Sequence, residues 1–189
     1  MSVVAALQPV VEAFERLGIA YHVGGSVASS AHGSPRSTND VDVVAELRHE
    51  HVDALCAALG KAYYAPAELM HDAIDHRSCA NVLHLATGFK VDIFVRGDGD
   101  YDRAAMARAV DRQLEPGTRM FHLATAEDTL LRKLLWFRKG GEVSERQWSD
   151  VLGVLRLRQA DLDHGYLHDW SQRLGIDDLL AKAERETDD

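Results

Sequence analysis

The chain has 189 residues, with 30 acidic side chains against 21 Lys and Arg for a formal net charge of −9, and is 46% hydrophobic and 27% charged. That length supports one sizeable core or a compact lobe with a helical appendage, and the composition excludes a disordered, collagenous or disulfide-stapled chain. The acid excess argues against broad electrostatic binding of nucleic acid, which needs a basic surface to displace counterions, and leaves only a local basic patch at Arg132, Lys133, Arg138, Lys139 and Arg146.

In chain order, amphipathic spacing predicts a first helix from Val3 to Leu17, stopped by Gly18. Its Glu12, Glu15 and Arg16 make it neither a signal peptide nor a membrane span, so a cytoplasmic protein with no membrane partner is expected. A strand at Tyr21 runs into the turn Gly24-Gly25-Ser26, and a small-residue helix follows from Val27 to His32, with Ser26 as its expected cap. Thr38 to Val44 reads as a short buried strand. A helix at Glu50–Leu59, an extended piece at Ala62–Ala65 and a helix at Glu68–Asp75 come next. Asn81–Ala86 and Phe89–Val95 form an expected antiparallel hairpin turning at Thr87-Gly88. After a helix at Asp102–Val110 and an extended stretch Met120–Leu123, everything from Thr125 onward reads as helix. Thr125 with Asp128 and Ser144 with Gln147 mark two starts, and Gly175 separates a helix at Leu162–Leu174 from one beginning at Asp177. The expected architecture is α/β, a mixed-sheet lobe over residues 1–122 followed by a helical lobe over 123–189.

The chemistry concentrates in three acids. Strand side chains alternate, so Asp40 and Asp42 share one face while Val41 and Val43 face the core. Their Cα atoms lie about 6–7 Å apart along a strand, a span from which two carboxylates can grip one hard cation or bracket a pair. Asp92, within Lys90-Val91-Asp92-Ile93-Phe94-Val95, is a third acid in an apolar strand, where burial without a partner is costly. The expected hairpin delivers it beside the other two. Three clustered acids repel one another unless a cation neutralises them, and oxygen ligands without soft partners suit magnesium or manganese better than zinc. Magnesium commonly shares such sites with substrate phosphates, which points to a nucleoside triphosphate.

The glycines supply the other half. Without a Cβ, Gly24 and Gly25 let backbone N–H groups approach phosphate oxygens, and the N-terminus of the following helix, beginning near Ser26, is a ready anion site. Arg36, shortly before the acids, is placed to clamp phosphate.

Gly25-Ser26, then Asp40-x-Asp42, then Asp92 resembles the signature of the nucleotidyltransferase superfamily with its polymerase-beta-like fold. The resemblance implies that Asp40 and Asp42 bind metal, and that Asp92 completes the metal site and can act as the base on the acceptor hydroxyl. It also implies a cleft between the lobes in which Lys133 meets Asp42. A second resemblance lies in the helical half. Thr125-Ala126-Glu127-Asp128, Leu130 to Leu134, and Ser144 to Leu152 are similar to the branch of AbiEii-like toxins, with Lys133, Arg138, Arg146 and Asp150 matching its basic-then-acidic arrangement. That branch implies a phosphate contact for Lys133, a nucleotide-site role for Asp150, a tRNA or other RNA acceptor, and a cognate antitoxin. The residues also fit plainer roles: Lys133 on a leucine-bearing helix as a solvated lysine, and Asp150 as a helix ion pair with Arg146. Two further acceptor classes stay open, a drug hydroxyl and a partner protein, as does a nucleotide-binding module that has lost turnover.

Cys56 and Cys79 have no zinc-ligand spacing. Among ten histidines, His164 and His168 are the helical pair with metal-ligand spacing, but no Glu follows His164 as the metalloprotease pattern requires, so zinc is not expected.

Overall fold

Asp40–Ala45 shows how the central sheet is built: its residues alternate between half-buried and fully buried, with Val41, Val43 and Ala45 inside and Asp40, Asp42 and Val44 on the other face. In this computed structural model, which describes residues 3–33 and 37–188, the elements follow in the order α1 (Val3–Arg16), β1 (Tyr21–Val23), α2 (Gly25–His32), β2 (Asp40–Ala45), α3 (His49–Leu59), β3 (Tyr63–Tyr64), α4 (Ala67–His76), β4 (Cys79–His84), β5 (Lys90–Val95), α5 (Asp100–Ala107), β6 (Val110–Gln113), β7 (Met120–Leu123), α6 (Ala126–Lys139), α7 (Glu145–Arg158), α8 (His164–Leu174) and α9 (Asp177–Asp188). The chain divides into two compact units. One comprises Met1–Val27 and Ser37–Leu123; the other comprises Ala28–Arg36 and Ala124–Asp189.

The first unit holds a seven-stranded mixed sheet in the order β3-β4-β5-β2-β1-β7-β6. β2 runs parallel to β5 and β1 parallel to β7, and the other neighbours are antiparallel. Helices α1, α3 and α4 pack with the sheet's apolar face, joining Leu7, Val10, Phe14, Leu55 and Met70 to Val41, Val43, Val91 and Ile93 in one core. Each such side chain contributes about 1.5–3 kcal/mol when fully buried. Tyr63 on β3 donates its hydroxyl to the Ala6 carbonyl of α1 at 2.7 Å, which satisfies the polar end of a buried ring. The expected hairpin forms, with its first strand ending at His84 and not Ala86 and a connection over residues 85–89: Cys79 to Leu83 pair antiparallel with Lys90 to Phe94, and Gly88 adopts φ +70° in that connection.

The second unit is helical. Leu130, Leu131, Leu134 and Phe137 of α6 are buried with Val151, Val154 and Leu155 of α7, Leu167 of α8 and Leu180 of α9. The capping signals read from the sequence act as expected, with Thr125 accepting from the Asp128 N–H and Ser144 from the Gln147 N–H. Asp163 caps α8 in the same way, and Gly175, at φ +67°, ends it in the left-handed conformation. The segment from Ala28 belongs to this unit through His32: its Nε2 lies 2.7 Å from the Ala124 carbonyl oxygen, and its own carbonyl accepts from Arg158 Nε at 3.2 Å.

Two local expectations need correcting. The helix expected over Asp102–Val110 instead spans Asp100–Ala107, and Val110 opens the edge strand β6. Ser26 is not the cap of a helix starting at Val27: α2 begins at Gly25, which places Ser26 in its first turn.

Candidate active site

Parallel pairing of β2 with β5 sets the site. In register, Asp42 stands opposite Asp92 and Asp40 opposite Lys90. Register partners on neighbouring strands point to the same face with Cα atoms about 4.8 Å apart, so all three acids and Lys90 emerge side by side. On the other flank β4 pairs Asn81 with Asp92. Asp92 lies on an interior strand and is only 8% exposed, while Asp40 and Asp42 are half-buried.

Asp92 is heavily engaged. The Lys90 ammonium donates to its Oδ2 at 2.9 Å, and the Asn81 amide donates to its Oδ1. A carboxylate has about four acceptor sites, so each oxygen keeps capacity for a further partner. The Lys90 pKa is raised by its hydrogen bond to Asp92 and by the Asp92 and Asp40 charges, so it remains an ammonium. Asp40 accepts from the Thr38 hydroxyl just before the strand. Cys79 lies on the same face beside Asn81, whose amide is 3.8 Å from its Sγ. Burial, then the Asp92 and Asp42 charges, push its thiol up to about 12, with Lys90 opposing.

The glycine turn is fitted to Asp42. The Gly24 N–H donates to the Asp42 carbonyl at 2.8 Å, which ties the turn to β2. Gly25 adopts φ +55°, and a Cβ there would lie 1.6 Å from Asp42 Oδ2 and 2.5 Å from its Cγ. Both observations demand glycine, and the second puts the Asp42 carboxylate directly against the start of α2.

The donor set fits a hard divalent cation. Among the described residues Asp40, Asp42 and Asp92 outnumber the Lys90 ammonium, and their ligating atoms are all oxygen.

Other residues singled out from the sequence lie elsewhere. Arg36 is outside the described residues. Lys133 and Asp150 do come together, in the second unit, where α6 and α7 bring Nζ and Oδ2 to 2.7 Å with both side chains buried. Asp150 therefore pairs across two helices with Lys133. Arg138 is held by Glu142 at 2.8 Å and by Asp178 on α9. Arg146 is exposed on the first turn of α7. Two site residues escaped the sequence reading. Asn81 and Cys79 reach the acids only through strand register, and alternation on the hairpin was the signal that could have found them.

The arrangement of sheet, glycine turn and trailing helices is that of a nucleotidyltransferase fold. No protein-family model and no curated protein matches the chain. Among solved structures it is similar to a nucleotidyltransferase-like antigen from Paracoccidioides brasiliensis, at 17% identity and a TM-score of 0.57, covering 96% of this chain and 88% of that one. It is also similar to the antibiotic-resistance factor ANT(2'')-Ia in two structures. Its complex with adenylyl-2''-tobramycin matches at 13% identity and TM-score 0.56, covering 90% and 95% of the two chains. Its solution structure matches at 14% identity and TM-score 0.54, covering 97% and 95%. At these identities the likeness is one of fold. No described helix is long and apolar enough to cross a membrane.

Proposed function

We propose that this chain is a metal-dependent nucleotidyltransferase that moves a nucleoside monophosphate from a nucleoside triphosphate to an acceptor hydroxyl. The observation that carries the reading is the register of β2 and β5, which sets Asp42 beside Asp92 and Asp40 one pleat away, with the Gly25 backbone against Asp42. Asp40, Asp42 and Asp92 would hold magnesium or manganese, which supplies charge neutralisation at the phosphates and at the attacking and leaving oxygens. The Gly25 backbone and Ser26, in the first turn of α2, would receive the outer phosphates, with the Gly24 N–H holding the turn to β2. In the transfer, the acceptor oxygen bonds to the α-phosphorus, the bond to the bridging oxygen breaks, and pyrophosphate leaves. Asp92 takes the acceptor proton while Asn81 and Lys90 fix the orientation of its carboxylate.

For the acceptor, a small cationic molecule bearing hydroxyls has the better support. ANT(2'')-Ia, whose complex holds adenylyl-2''-tobramycin, shares the fold along 95% of its length. A net charge of −9 also draws cations and repels a polyanion such as tRNA. The toxin reading, with an RNA acceptor and a cognate antitoxin, leans on Lys133 and its basic neighbours. The Lys133 charge is neutralised by Asp150 and that of Arg138 by Glu142 and Asp178, which leaves this reading less support.

The test is transfer of α-phosphate label from each nucleoside triphosphate, with magnesium, onto tobramycin, total tRNA and whole-cell protein, beside Asp42→Asn. Label on tobramycin that vanishes in the variant supports the small-molecule reading, and label on tRNA replaces it with the RNA reading. Triphosphate binding with no labelled product on any acceptor would make the chain a silent binding module. Undiminished transfer by Asp42→Asn would sink the metal site.

A further inference from the structure

We propose that His164, His168 and Glu184 form a second metal site, selective for a borderline divalent transition ion such as zinc, that clips α8 to α9. The helical spacing of His164 and His168 puts both imidazoles on one face of α8, one turn apart. Sequence alone leaves that pair with two ligands and no third. The fold supplies it: Gly175 turns the chain back, α9 packs along α8, and Glu184 arrives at the pair from the neighbouring helix. One ligand atom from each of the three residues lies within 4.8 Å of the others.

The spacing suits a four-coordinate ion. Bonds of about 2.0–2.1 Å to nitrogen and oxygen in a tetrahedron put neighbouring ligand atoms about 3.3 Å apart. His168 Nε2 and Glu184 Oε1 already stand at 3.4 Å. His164 supplies the third ligand atom as it stands. Its Nε2 sits 3.0 Å from the Gln159 carbonyl oxygen, and a carbonyl at one ring nitrogen fixes the tautomer and leaves the other nitrogen its lone pair. Two imidazoles and one carboxylate match a zinc site with an open fourth position for water. An exposed His–Glu ion pair contributes little by itself, whereas an ion shared by two helices stabilises the folded state by linkage.

The donor chemistry separates this site from the carboxylates of the sheet. Imidazole nitrogen favours zinc, nickel or copper, while the all-oxygen cluster at Asp40, Asp42 and Asp92 favours magnesium. The experiment is a titration of the full chain with zinc chloride in excess magnesium, followed by calorimetry and thermal unfolding, and repeated with cobalt for its visible spectrum. Expected results are one tight zinc equivalent, a melting temperature that rises with zinc, and the intense absorption of tetrahedral cobalt. His168→Ala and Glu184→Gln should each weaken zinc binding at least tenfold and abolish the cobalt bands.

His49→Ala serves as a control, because His49 and His71 form another close imidazole pair with Nδ1 atoms 2.7 Å apart. That variant should bind zinc as the parent does. Zinc affinity unchanged in the double variant His164→Ala/His168→Ala, or lost in His49→Ala instead, overturns the proposal. All these side chains are at least partly exposed, and circular dichroism of the zinc-free variants confirms that loss of metal is not loss of fold.

Discussion

Two ion pairs in this molecule look alike and teach different things. In the helical unit Lys133 meets Asp150, with both groups buried and one charge of each sign in the pair. On the sheet Lys90 meets Asp92, but Asp40 and Asp42 stand on the same face with no further lysine among their register partners. The first pair sets one ammonium against one carboxylate. Among the described residues the second sets three acids beside the Lys90 ammonium, at a place where a Cβ is withheld at Gly25 to let a carboxylate approach. Balanced charge marks structure; a built excess of one sign marks a place for a ligand of the other.

Neutralising one acid of the excess cluster is the sharpest way to break that comparison. Asp42→Asn keeps the shape and removes one charge, so transfer should fall by about a thousandfold, or roughly 4 kcal/mol of barrier, while melting stays unchanged or rises as repulsion is relieved. Label transfer and thermal unfolding on the same preparation check both halves. The balanced pair should respond the other way. Lys133→Ala strands a buried carboxylate and should cost about 3–5 kcal/mol, whereas the double change Lys133→Met/Asp150→Leu should recover most of it. Urea denaturation gives the stabilities. If the double variant folds well but no longer transfers, Lys133 touches the nucleotide as the toxin resemblance implies.

The difference between the two pairs also separates what the sequence could reveal from what it could not. The Asp40–Asp42 alternation and the hairpin carrying Asp92 were legible because both are local: period 2 places side chains on faces, and Thr87-Gly88 marks the turn. The parallel register that joins Asp42 to Asp92 is non-local, whereas Asn81 and Cys79 lie on the hairpin itself and follow from its own alternation. Edge strand β6 was missed for a different reason. Val110-Asp111-Arg112-Gln113 has one apolar residue and three exposed ones, so no periodicity was present to read. Lys133 looked like a surface lysine because its burial depends on a helix more than ten residues away. The excursion of residues from Ala28 into the helical unit rests on His32 contacts with Ala124 and Arg158, which no local pattern announces.

A smaller effect is expected at the glycine turn. Gly25→Ala forces a side chain into φ +55° and against the Asp42 carboxylate, which should cost about 1–3 kcal/mol in stability. It should also lower transfer by moving Asp42, so its stability loss and activity loss appear together, unlike the separated effects of Asp42→Asn. Gly24→Ala is the control for stability alone, since a Cβ there meets no protein atom within 4 Å.

Cys79 reports the charge excess directly and gives the most delicate test. Its thiol is raised to about 12 by burial, then by Asp92 and Asp42, with Lys90 opposing. The thiolate is the nucleophile, so alkylation of Cys79 by iodoacetamide should stay slow through pH 9 and accelerate only at higher pH. Removing a nearby negative charge in Asp42→Asn should move that profile to lower pH, and removing the ammonium in Lys90→Gln should move it higher. Lys133→Met/Asp150→Leu removes one charge of each sign from a pair that is not among the causes of the shift, and should leave the profile in place. The sign for stability follows. An unfolded chain releases this proton from about pH 8.5 upward while the folded chain holds it, so the Cys79 contribution to stability is whole below that pH and is lost as pH rises toward 12. Burial and the Glu12 charge raise Tyr63 to about 12 and act in the same direction, so the urea midpoint should decline from pH 8 to pH 10.5. Mass spectrometry of the Cys79 peptide isolates the local effect: a profile that ignores Asp42→Asn would mean that the acids do not concentrate charge on this face.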